Sequence, residues 1–367
     1  MKKIISITTG TRAEYSLLKP LYVKLTRFDD FDVRLAVTGS HLSSEFGMTY
    51  KEIEEDGLKI DEKIQILSDS DTPETITKSM GVALIEFGAY FSKLKPDMVI
   101  LLGDRYEALA IASAATLLRI PIAHLHGGEI TEGAIDDVFR HAITKLSYLH
   151  FTSTEAYRKR VIQLGEAPSR VYAVGALGIE NIKNLSLLSK SQLEDALQFS
   201  LEKPYCVVTF HPVTLEDNQA KEQVLALLDA CESRKDLAFV FTKANADTDG
   251  RLINQTIQSY VERNNHFLLV DSLGSKKFLS ALKYAKMVIG NSSSGIIEAP
   301  SFSIPTINIG DRQRGRIQSK SIINCKPEKQ SILEAMKLAE NDAFLTTIRH
   351  SINPYGDGNT SEKIANR

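Results

Sequence analysis

The stretch 290–300, which reads G-N-S-S-S-G-I-I-E-A-P, holds the residues best suited to binding an anion. It follows a short apolar run, so Ser292 and Ser293 are expected where a buried strand turns into a short helix that ends at Pro300. Hydroxyls and free backbone N–H groups at the positive end of a helix bind phosphate. Glu298, one turn further on, is placed to accept hydrogen bonds from vicinal hydroxyls such as those of a ribose. The alternative is an ordinary serine-capped helix with a solvated glutamate.

Three other segments carry acids and bases after predicted strands. Asp104 precedes a predicted helix and has Glu107 three residues later, so it is either a carboxylate available for catalysis or the N-cap of a capping box. His126 and Glu129 flank two glycines, which allow a tight turn or the close approach of a ligand. Asp136 lies near a predicted helix start, where the helix dipole favours a carboxylate in any case. These residues are the candidates for proton transfer.

Basic residues in comparable positions could bind anions. Arg12 follows the first predicted strand and could pair with a phosphate through two N–H groups. His211, in F-H-P just after another strand, could donate to a phosphate or act as an acid. Arg312 and Arg316 lie in the loop 310–316, which is either a solvated loop or a second anion-binding segment.

A metal or cofactor site is not expected. His124 and His126 form an H-x-H pair, and strand alternation would put both on one face, but no third ligand is nearby. The chain has no Walker lysine motif, no G-x-G-x-x-G after a strand and no G-x-S-x-G. Nucleotide hydrolysis, nicotinamide chemistry and a serine nucleophile therefore lack support.

Apolar runs predict the elements that position these residues. Predicted strands in the first half are 4–8, 31–37, 97–102 and 120–125; those in the second half are 205–210, 238–242, 267–270, 287–289 and 304–307. Helical patterns separate them, which is typical of doubly wound α/β folds. The fold class expected is α/β, with two Rossmann-like domains facing a central cleft. In such sheets ligands bind outside the carboxyl ends of the strands, where all the motifs above fall.

The predicted domains are 1–184, which carries the candidates for proton transfer, and 185–350, which carries the phosphate- and ribose-binding candidates of 290–300. Residues 185–201, rich in serine, lysine and leucine, are the best linker candidate. The tail 351–367 contains a turn cluster and a short helical pattern that could return to the first domain. A length of 367 residues also favours two domains, because single cores usually stop growing at about 250–300 residues.

Composition excludes several classes of protein. The net charge of −2 argues against a nucleic-acid binder, which would carry a basic face. The three cysteines are scattered, as expected for reduced thiols rather than a disulfide framework. The longest apolar stretch, 108–118, is too short to span a bilayer, and no signal-peptide core follows the N-terminal lysines. A cytoplasmic protein with no membrane contact is expected.

Seven motifs occur in an order that resembles the UDP-N-acetylglucosamine 2-epimerase family over nearly the whole chain. They are G-T-R-A-E-Y-S at 10–16, G-D-R-Y-E at 103–107, H-G-G-E at 126–129, D-D-x-x-R-H-A-I-T-K at 136–145, F-H-P at 210–212, the 290–300 stretch, and G-D-R-Q-x-G-R at 310–316. The resemblance is to the hydrolysing branch of sialic-acid biosynthesis. It implies a GT-B fold, a homodimer, and conversion of UDP-N-acetylglucosamine and water to N-acetylmannosamine and UDP.

The resemblance also implies roles for individual residues. Asp104 and Asp136 match the catalytic carboxylates, and Glu298 would bind the ribose. The diphosphate would be held by Arg12, Ser292, Ser293 and Arg316, with His211. Phe278, expected in the loop before the strand at 287–289, would contact uracil. Arg105 and Arg312 are further substrate-binding candidates.

One departure from the family pattern leaves alternatives open. Many members have a glutamate where this chain has His126, so either His126 or Glu129 takes that acid/base role. A related branch with H-G-G-E acts on UDP- or GDP-linked 2,4-diacetamido-trideoxy sugars on the way to legionaminic acid, and this is the alternative function. A GT-B glycosyltransferase, which would need an acceptor, is a more distant one.

Overall fold

The computed structural model describes residues 2–68, 70, 72–213, 219–244 and 249–367. The chain forms two compact units. The first comprises Met1–Glu129, Asp136–Asn181 and Tyr355–Arg367; the second comprises Ile130–Ile135 and Ile182–Pro354. The domain limits at 184 and 350 stay a prediction.

The first unit is built on a parallel sheet of seven strands among the described residues, in the order β3-β2-β1-β4-β5-β6-β7. Its strands are β1 Lys3–Thr9, β2 Phe31–Thr38, β3 Glu62–Ile64, β4 Met98–Leu102, β5 Ile122–Leu125, β6 Leu149–Thr152 and β7 Val171–Ala173. Its helices are α1 Arg12–Leu25, α2 Tyr50–Glu55, α3 Pro73–Leu94, α4 Tyr106–Leu117, α5 Asp136–Leu146, α6 Glu155–Gln163 and α7 Leu177–Asn184, which runs into the second unit.

The strands of this sheet are continuous apolar runs because helices cover both faces. Ile7 and Leu102 pack on one face with Leu18 of α1. Val99 and Leu101 pack on the other face with Phe87 of α3. Alternate residues of one strand thus enter two different cores, which confirms the doubly wound arrangement predicted for this half.

The second unit repeats the plan with six described strands, in the order β10-β9-β8-β11-β12-β13. The strands are β8 Tyr205–Thr209, β9 Ala238–Thr242, β10 Phe267–Val270, β11 Met287–Gly290, β12 Thr306–Ile309 and β13 Ile322–Cys325. The helices are α8 Lys190–Leu197, α9 Ala220–Glu232, α10 Gly250–Val261, α11 Gly274–Tyr284, α12 Ser293–Ile297, α13 Lys329–Ala339 and α14 Asp342–Arg349. Both sheets therefore have the Rossmann strand order.

The stretch 185–201, expected as a linker, is instead a packed part of the second unit. It contains α8, which begins with a capping box between Ser189 and Gln192. Leu193 and Leu197, four residues apart on one helix face, are buried in the core. The linker interpretation was wrong because its leucines recur at helical spacing and bury an apolar stripe.

The chain ends in helix α15, Thr360–Ala365, which packs against α1 in the first unit. The Ser361 N–H donates to Glu180 Oε2 at 2.7 Å, and Lys24 forms an ion pair with Glu362. The nearby Tyr355 ring is fully buried beside Tyr157. No helix in the described ranges is long and apolar enough to cross a membrane.

Candidate functional site

The carboxyl ends of β1, β4 and β5 carry the ionisable candidates of the first unit. β4 lies between β1 and β5 in the sheet, and all three strands run parallel. The turns after them therefore emerge at one edge, which brings Arg12, Asp104 and His126 to the same side of the unit.

Arg140, which projects from α5 into this edge, connects the candidates. Its side chain is 1% exposed. The guanidinium bonds the Asp104 carboxylate, the Asp137 carboxylate at 2.9 Å and the Glu129 carbonyl oxygen at 2.9 Å. We call these four residues the Arg140 network. A buried guanidinium stabilises the negative charge of both carboxylates, since buried ions need a hydrogen-bonded partner of opposite sign.

Arg140 and Asp137 were not among the predicted site residues. Asp136, which was, is the partly exposed first residue of α5. A signal for the missing pair was present in D-D-x-x-R, because residues three apart on a helix face each other. The long-range bond from Arg140 to Asp104 had no such signal.

The capping-box alternative for Asp104 is wrong. Helix α4 begins at Tyr106, and Arg105 occupies the N-cap position without a side-chain cap. Glu107 Oε1 accepts from Arg105 Nε at 2.7 Å instead of bonding back to the backbone of Asp104. Asp104 is therefore held by the Arg140 network, with its side chain 23% exposed.

His126 and Glu129 have different surroundings. The Glu129 side chain is 2% exposed and accepts from Ser153 Oγ at 2.6 Å. The His126 side chain is 11% exposed; its Nδ1 lies 3.5 Å from Glu129 Oε1, and the Leu177 N–H donates to its Nε2 at 3.3 Å. Of the two alternatives for the acid/base role, His126 is the more accessible, and Glu129 lies beside its ring.

The H-x-H pair does not share a strand face. β5 ends at Leu125, and His126 has a left-handed backbone with φ 65°, so its ring leaves the alternation of the strand. The His124 ring stays in the interior. No cluster of three or more potential metal-binding His, Cys, Asp or Glu occurs in the part of the chain that the structure describes.

Two more carboxyls lie at the turn after β1. The Gly10 N–H donates to Glu14 Oε2 at 2.7 Å, and a Cβ on Gly10 would lie 3.0 Å from Glu107 Oε1. Burial, and then the negative charge of Glu107, raises the pKa of Glu14 to about 7. Arg12, the first residue of α1, pairs with Glu52, the Nε to Oε2 distance being 2.5 Å.

At the turn after β11, in the second unit, side chains bond mainly to backbone peptide groups, whereas the turn after β4 in the first unit holds an ion pair. Gly290 ends β11 with φ 133°, and a Cβ there would lie 1.9 Å from the Thr209 carbonyl oxygen. Asn291 Oδ1 accepts from the His211 N–H at 2.7 Å, and Asn291 Nδ2 donates to the His211 carbonyl at 2.8 Å. The Asn291 carbonyl accepts from Arg312 Nη1 at 3.2 Å. His211 and Arg312 are thus held at one turn.

The predicted serine turn forms, with a shorter helix than expected. Ser292 is the N-cap of α12, its hydroxyl lying 3.4 Å from the Ser294 nitrogen, and Ser293 is the first helical residue. α12 ends at Ile297, and a 3₁₀ turn, Ala299–Phe302, contains Pro300. Glu298 is buried between the two elements, at 9% exposure.

Phe278 does not lie in the loop where it was expected. It belongs to α11 and is partly buried against a core cluster of the second unit. The run 274–284 forms a helix because its apolar residues recur at helical spacing, and Leu279 and Leu282 of that helix are buried.

The loop 310–316 is only partly solvated. Gln313 is 1% exposed and donates to the Asn291 carbonyl at 2.8 Å. The Glu132 N–H donates to the Arg314 carbonyl at 3.0 Å, and Arg314 also pairs with the Glu132 carboxylate. Arg316 is partly exposed at the end of the loop.

Comparison with known proteins identifies the class and then the family. The structure of Methanocaldococcus jannaschii UDP-GlcNAc 2-epimerase in complex with UDP-GlcNAc and UDP matches with a TM-score of 0.83 at 22% identity, covering 99% of this chain and 98% of that one. This likeness shows the fold, and the predicted GT-B class is confirmed. The family described as UDP-N-acetylglucosamine 2-epimerase matches residues 23–367.

Relatives with higher identity include a Campylobacter jejuni GDP/UDP-N,N'-diacetylbacillosamine 2-epimerase (hydrolyzing), 46% identical over 94% of this chain and 89% of the relative. The Escherichia coli polysialic acid biosynthesis protein P7 is 42% identical over 97% of this chain and 90% of the relative. A Legionella pneumophila UDP-N,N'-diacetylbacillosamine 2-epimerase (hydrolyzing) is 36% identical over 99% of this chain and 94% of the relative. The chain belongs to the UDP-N-acetylglucosamine 2-epimerase family, in its hydrolysing branch, as the motifs predicted. The homodimer and the cytoplasmic location stay predictions.

Proposed function

We propose that the protein is a hydrolysing 2-epimerase of a nucleotide-linked 2,4-diacetamido-2,4,6-trideoxyglucose. It would release UDP or GDP and the free sugar with inverted C2. The observation that carries this proposal is the 46% identity to the Campylobacter jejuni diacetylbacillosamine enzyme over most of both chains. The Legionella pneumophila UDP-N,N'-diacetylbacillosamine 2-epimerase (hydrolyzing), 36% identical, adds support.

UDP-N-acetylglucosamine, the substrate expected first from the motifs, becomes the second candidate. Its support is the similarity to the polysialic acid biosynthesis protein, at 42% identity. The two substrates differ at C4 and C6 of the sugar, and the similarity to relatives favours the 4-acetamido, 6-deoxy form.

The proposed reaction has two steps. A base removes the C2 proton while the C1–oxygen bond breaks, and the electron pair leaves on the nucleoside diphosphate to give a glycal. Water then adds a hydroxyl at C1 and gives its other proton to a base, while an acid returns a proton to C2 from the opposite face. Each positioned acid or base typically contributes about 10²–10⁴-fold.

Asp104 is proposed as one of the two proton-transfer groups. Arg140 stabilises its negative charge, which suits a base better than an acid at neutral pH. The acid that returns the proton to C2 from the opposite face of the sugar is proposed to be His126, with Glu129 beside its ring, or Asp136. His126 is favoured over Glu129 because its side chain is the more exposed.

The nucleotide part of the substrate is assigned to residues at strand ends. The diphosphate is proposed to bind Arg12, Ser292, Ser293, Arg312 and Arg316, with His211. Neutralising the leaving diphosphate matters because the C2 proton has no adjacent carbonyl to acidify it. Glu298 is proposed to bind the ribose and Phe278 to contact the nucleobase. Arg105 is proposed to bind the sugar part of the substrate.

The test is an NMR time course in D2O with four substrates: UDP- and GDP-linked 2,4-diacetamido-2,4,6-trideoxyglucose, UDP-GlcNAc and GDP-GlcNAc. The proposal expects fastest release of nucleoside diphosphate from a diacetamido sugar, with deuterium at C2 of the product. Faster turnover of UDP-GlcNAc would favour the second candidate. Intact nucleotide sugars that react only when an acceptor is added would identify a glycosyltransferase.

A further inference from the structure

His124, at the carboxyl end of β5, is a buried histidine with no assigned role in the proposed reaction. Its side chain has no exposed surface. Nε2 lies 2.7 Å from the Gly103 carbonyl oxygen, and Nδ1 lies 3.2 Å from the Thr144 hydroxyl. Gly103 directly precedes Asp104, so the ring contacts the turn that carries the proposed base.

These contacts define the proton arrangement on the ring. A carbonyl oxygen only accepts, so Nε2 must carry a proton to bond Gly103. In the neutral ring Nδ1 then carries no proton and can only accept. The single Thr144 hydroxyl proton is shared between this nitrogen, at 3.2 Å, and the Arg140 carbonyl oxygen, at 3.0 Å. Burial lowers the pKa of His124 to about 4, with His150 and Arg140 acting in the same direction, so the ring is neutral at physiological pH.

The same ring touches two more segments of the site. A Cβ on Gly127 would lie 3.0 Å from both His124 Nδ1 and Thr144 Oγ1, so the H-G-G-E loop closes directly over this pair. Thr144 Oγ1 also lies 3.0 Å from the Arg140 carbonyl in α5. His124 therefore lies where the Asp104 turn, the His126 loop and the Arg140 helix meet.

We propose that His124 is a positioning residue for Asp104: its neutral ring donates from Nε2 to the Gly103 carbonyl and fixes the turn on which the carboxylate is held. The catalytic consequence rests on the proposed function, whereas the contact itself does not. A protonated ring would add a second buried cation beside Arg140 and compete for the Asp104 charge. The uncharged imidazole supplies the hydrogen bond without that competition.

His150 offers a matched comparison. It is also fully buried, lies on the neighbouring strand β6 and pairs in register with His124. Its Nε2 lies 3.1 Å from Glu166 Oε2, so this ring bonds a carboxylate of the loop after α6 and not the Asp104 turn. Replacing either ring by phenyl removes a buried imidazole of similar size, but only one change removes the hydrogen bond to Gly103.

The first experiment needs no turnover. In ¹⁵N-histidine NMR of the whole protein, His124 should show a proton on Nε2 and no titration between pH 5.5 and 8. In His124→Phe the backbone amide signals of residues 103–105 should move, and in His150→Phe they should stay near their wild-type positions. A proton on Nδ1, titration near pH 6.5, or equal shifts in both variants would overturn the proposal whatever reaction the protein catalyses.

The second experiment measures kcat and KM on the best substrate. His124→Phe should lower kcat about 10²-fold with KM changed less than about threefold, because a displacement of about 1 Å costs this much. His124→Gln, whose amide N–H can reach the Gly103 carbonyl, should recover at least about tenfold of the loss, and His150→Phe should stay within about threefold of wild type. Equal kcat losses in the two phenyl variants would contradict the positioning role. If His124→Phe does not fold, the tautomer of His124 in the wild type and the kcat of His124→Gln decide whether His124 positions the turn. If the wild type acts on none of the substrates, the proposed function fails, and the NMR experiment still tests the contact.

Discussion

The turn after β4 in the first unit and the turn after β11 in the second occupy the same place in their sheets. β4 lies between β1 and β5, and β11 lies between β8 and β12. Each turn begins with a glycine of positive φ, Gly103 at 83° and Gly290 at 133°. The backbone frame is shared, so the side chains that follow account for the difference in chemistry.

After Gly103 comes a carboxylate held by a buried guanidinium. After Gly290 comes Asn291, whose amide bonds the backbone of His211, followed by serine hydroxyls. The first turn holds its carboxylate by an ion pair, whereas the second is held by neutral hydrogen bonds from the Asn291 amide. The comparison teaches that one strand order can carry a buried ion-pair network at one turn and neutral amide and hydroxyl groups at the other.

Asp104→Asn tests the charged side of this comparison and should have the largest effect. We expect turnover to fall about 10²–10⁴-fold, because the amide cannot take a proton, while UDP affinity stays near wild type. Rates of nucleotide release and calorimetric titration with UDP measure the two properties. Asp97→Asn, which removes the carboxylate that pairs with Lys3 at the surface, serves as the control. Retained activity in Asp104→Asn would reduce this carboxylate to a structural role.

Alanine at each glycine tests whether the two turns are equally constrained. Gly290→Ala should cost about 3 kcal/mol of stability or more, since its Cβ meets the Thr209 carbonyl in addition to the strain of positive φ. Gly103→Ala should cost only about 1–2 kcal/mol, because the new Cβ has no atom within 4 Å among the described residues beyond its two chain neighbours. Denaturant unfolding measures the stability of the two variants, and equal losses of stability would refute the difference in packing.

Glu298→Ala tests the nucleotide side. UDP affinity should weaken about tenfold, because a carboxylate that accepts from ribose hydroxyls would be lost. Glu334→Ala, at an exposed position of α13, is the matched control and should bind normally. Unchanged affinity in the Glu298 variant would end the ribose assignment.

Glu14→Gln tests how much stability the protein loses by burying the Glu14 carboxyl beside Glu107 at the turn after β1. This variant should have the smallest effect. The pKa of Glu14 is raised to about 7, so between pH 4.5 and 7 the unfolded chain releases a proton that the folded protein retains. The wild type therefore loses stability as pH rises through this window. The variant should be more stable by about 1–3 kcal/mol at pH 8 and nearly equal at pH 5.

Urea unfolding at the two pH values measures this effect, with Glu86→Gln on the exposed face of α3 as the control. A stability difference that does not change with pH would show that Glu14 does not retain its proton on folding.

Local patterns were enough to predict much of the fold. The runs at 4–8, 97–102 and 287–289 became strands because continuous apolar sequence between helices is buried on both sides. The serine turn at 290–300 formed because strand, glycine and cap residues are adjacent in sequence. Errors arose where a local pattern had two meanings, as when Phe278 was placed in a loop and 185–201 was taken as a linker.

The sequence by itself determined the two α/β domains, the strand ends at which polar residues gather, and the family, because these depend on periodicity and on motifs contiguous in the chain. Only the tertiary structure decided which groups meet. Asp104 binds Arg140, 36 residues away, rather than capping its own helix. The His124 ring reaches Gly103, 21 residues earlier. Such pairings depend on which strands lie side by side and on which polar groups must be satisfied once buried, and neither condition exists before the chain has folded.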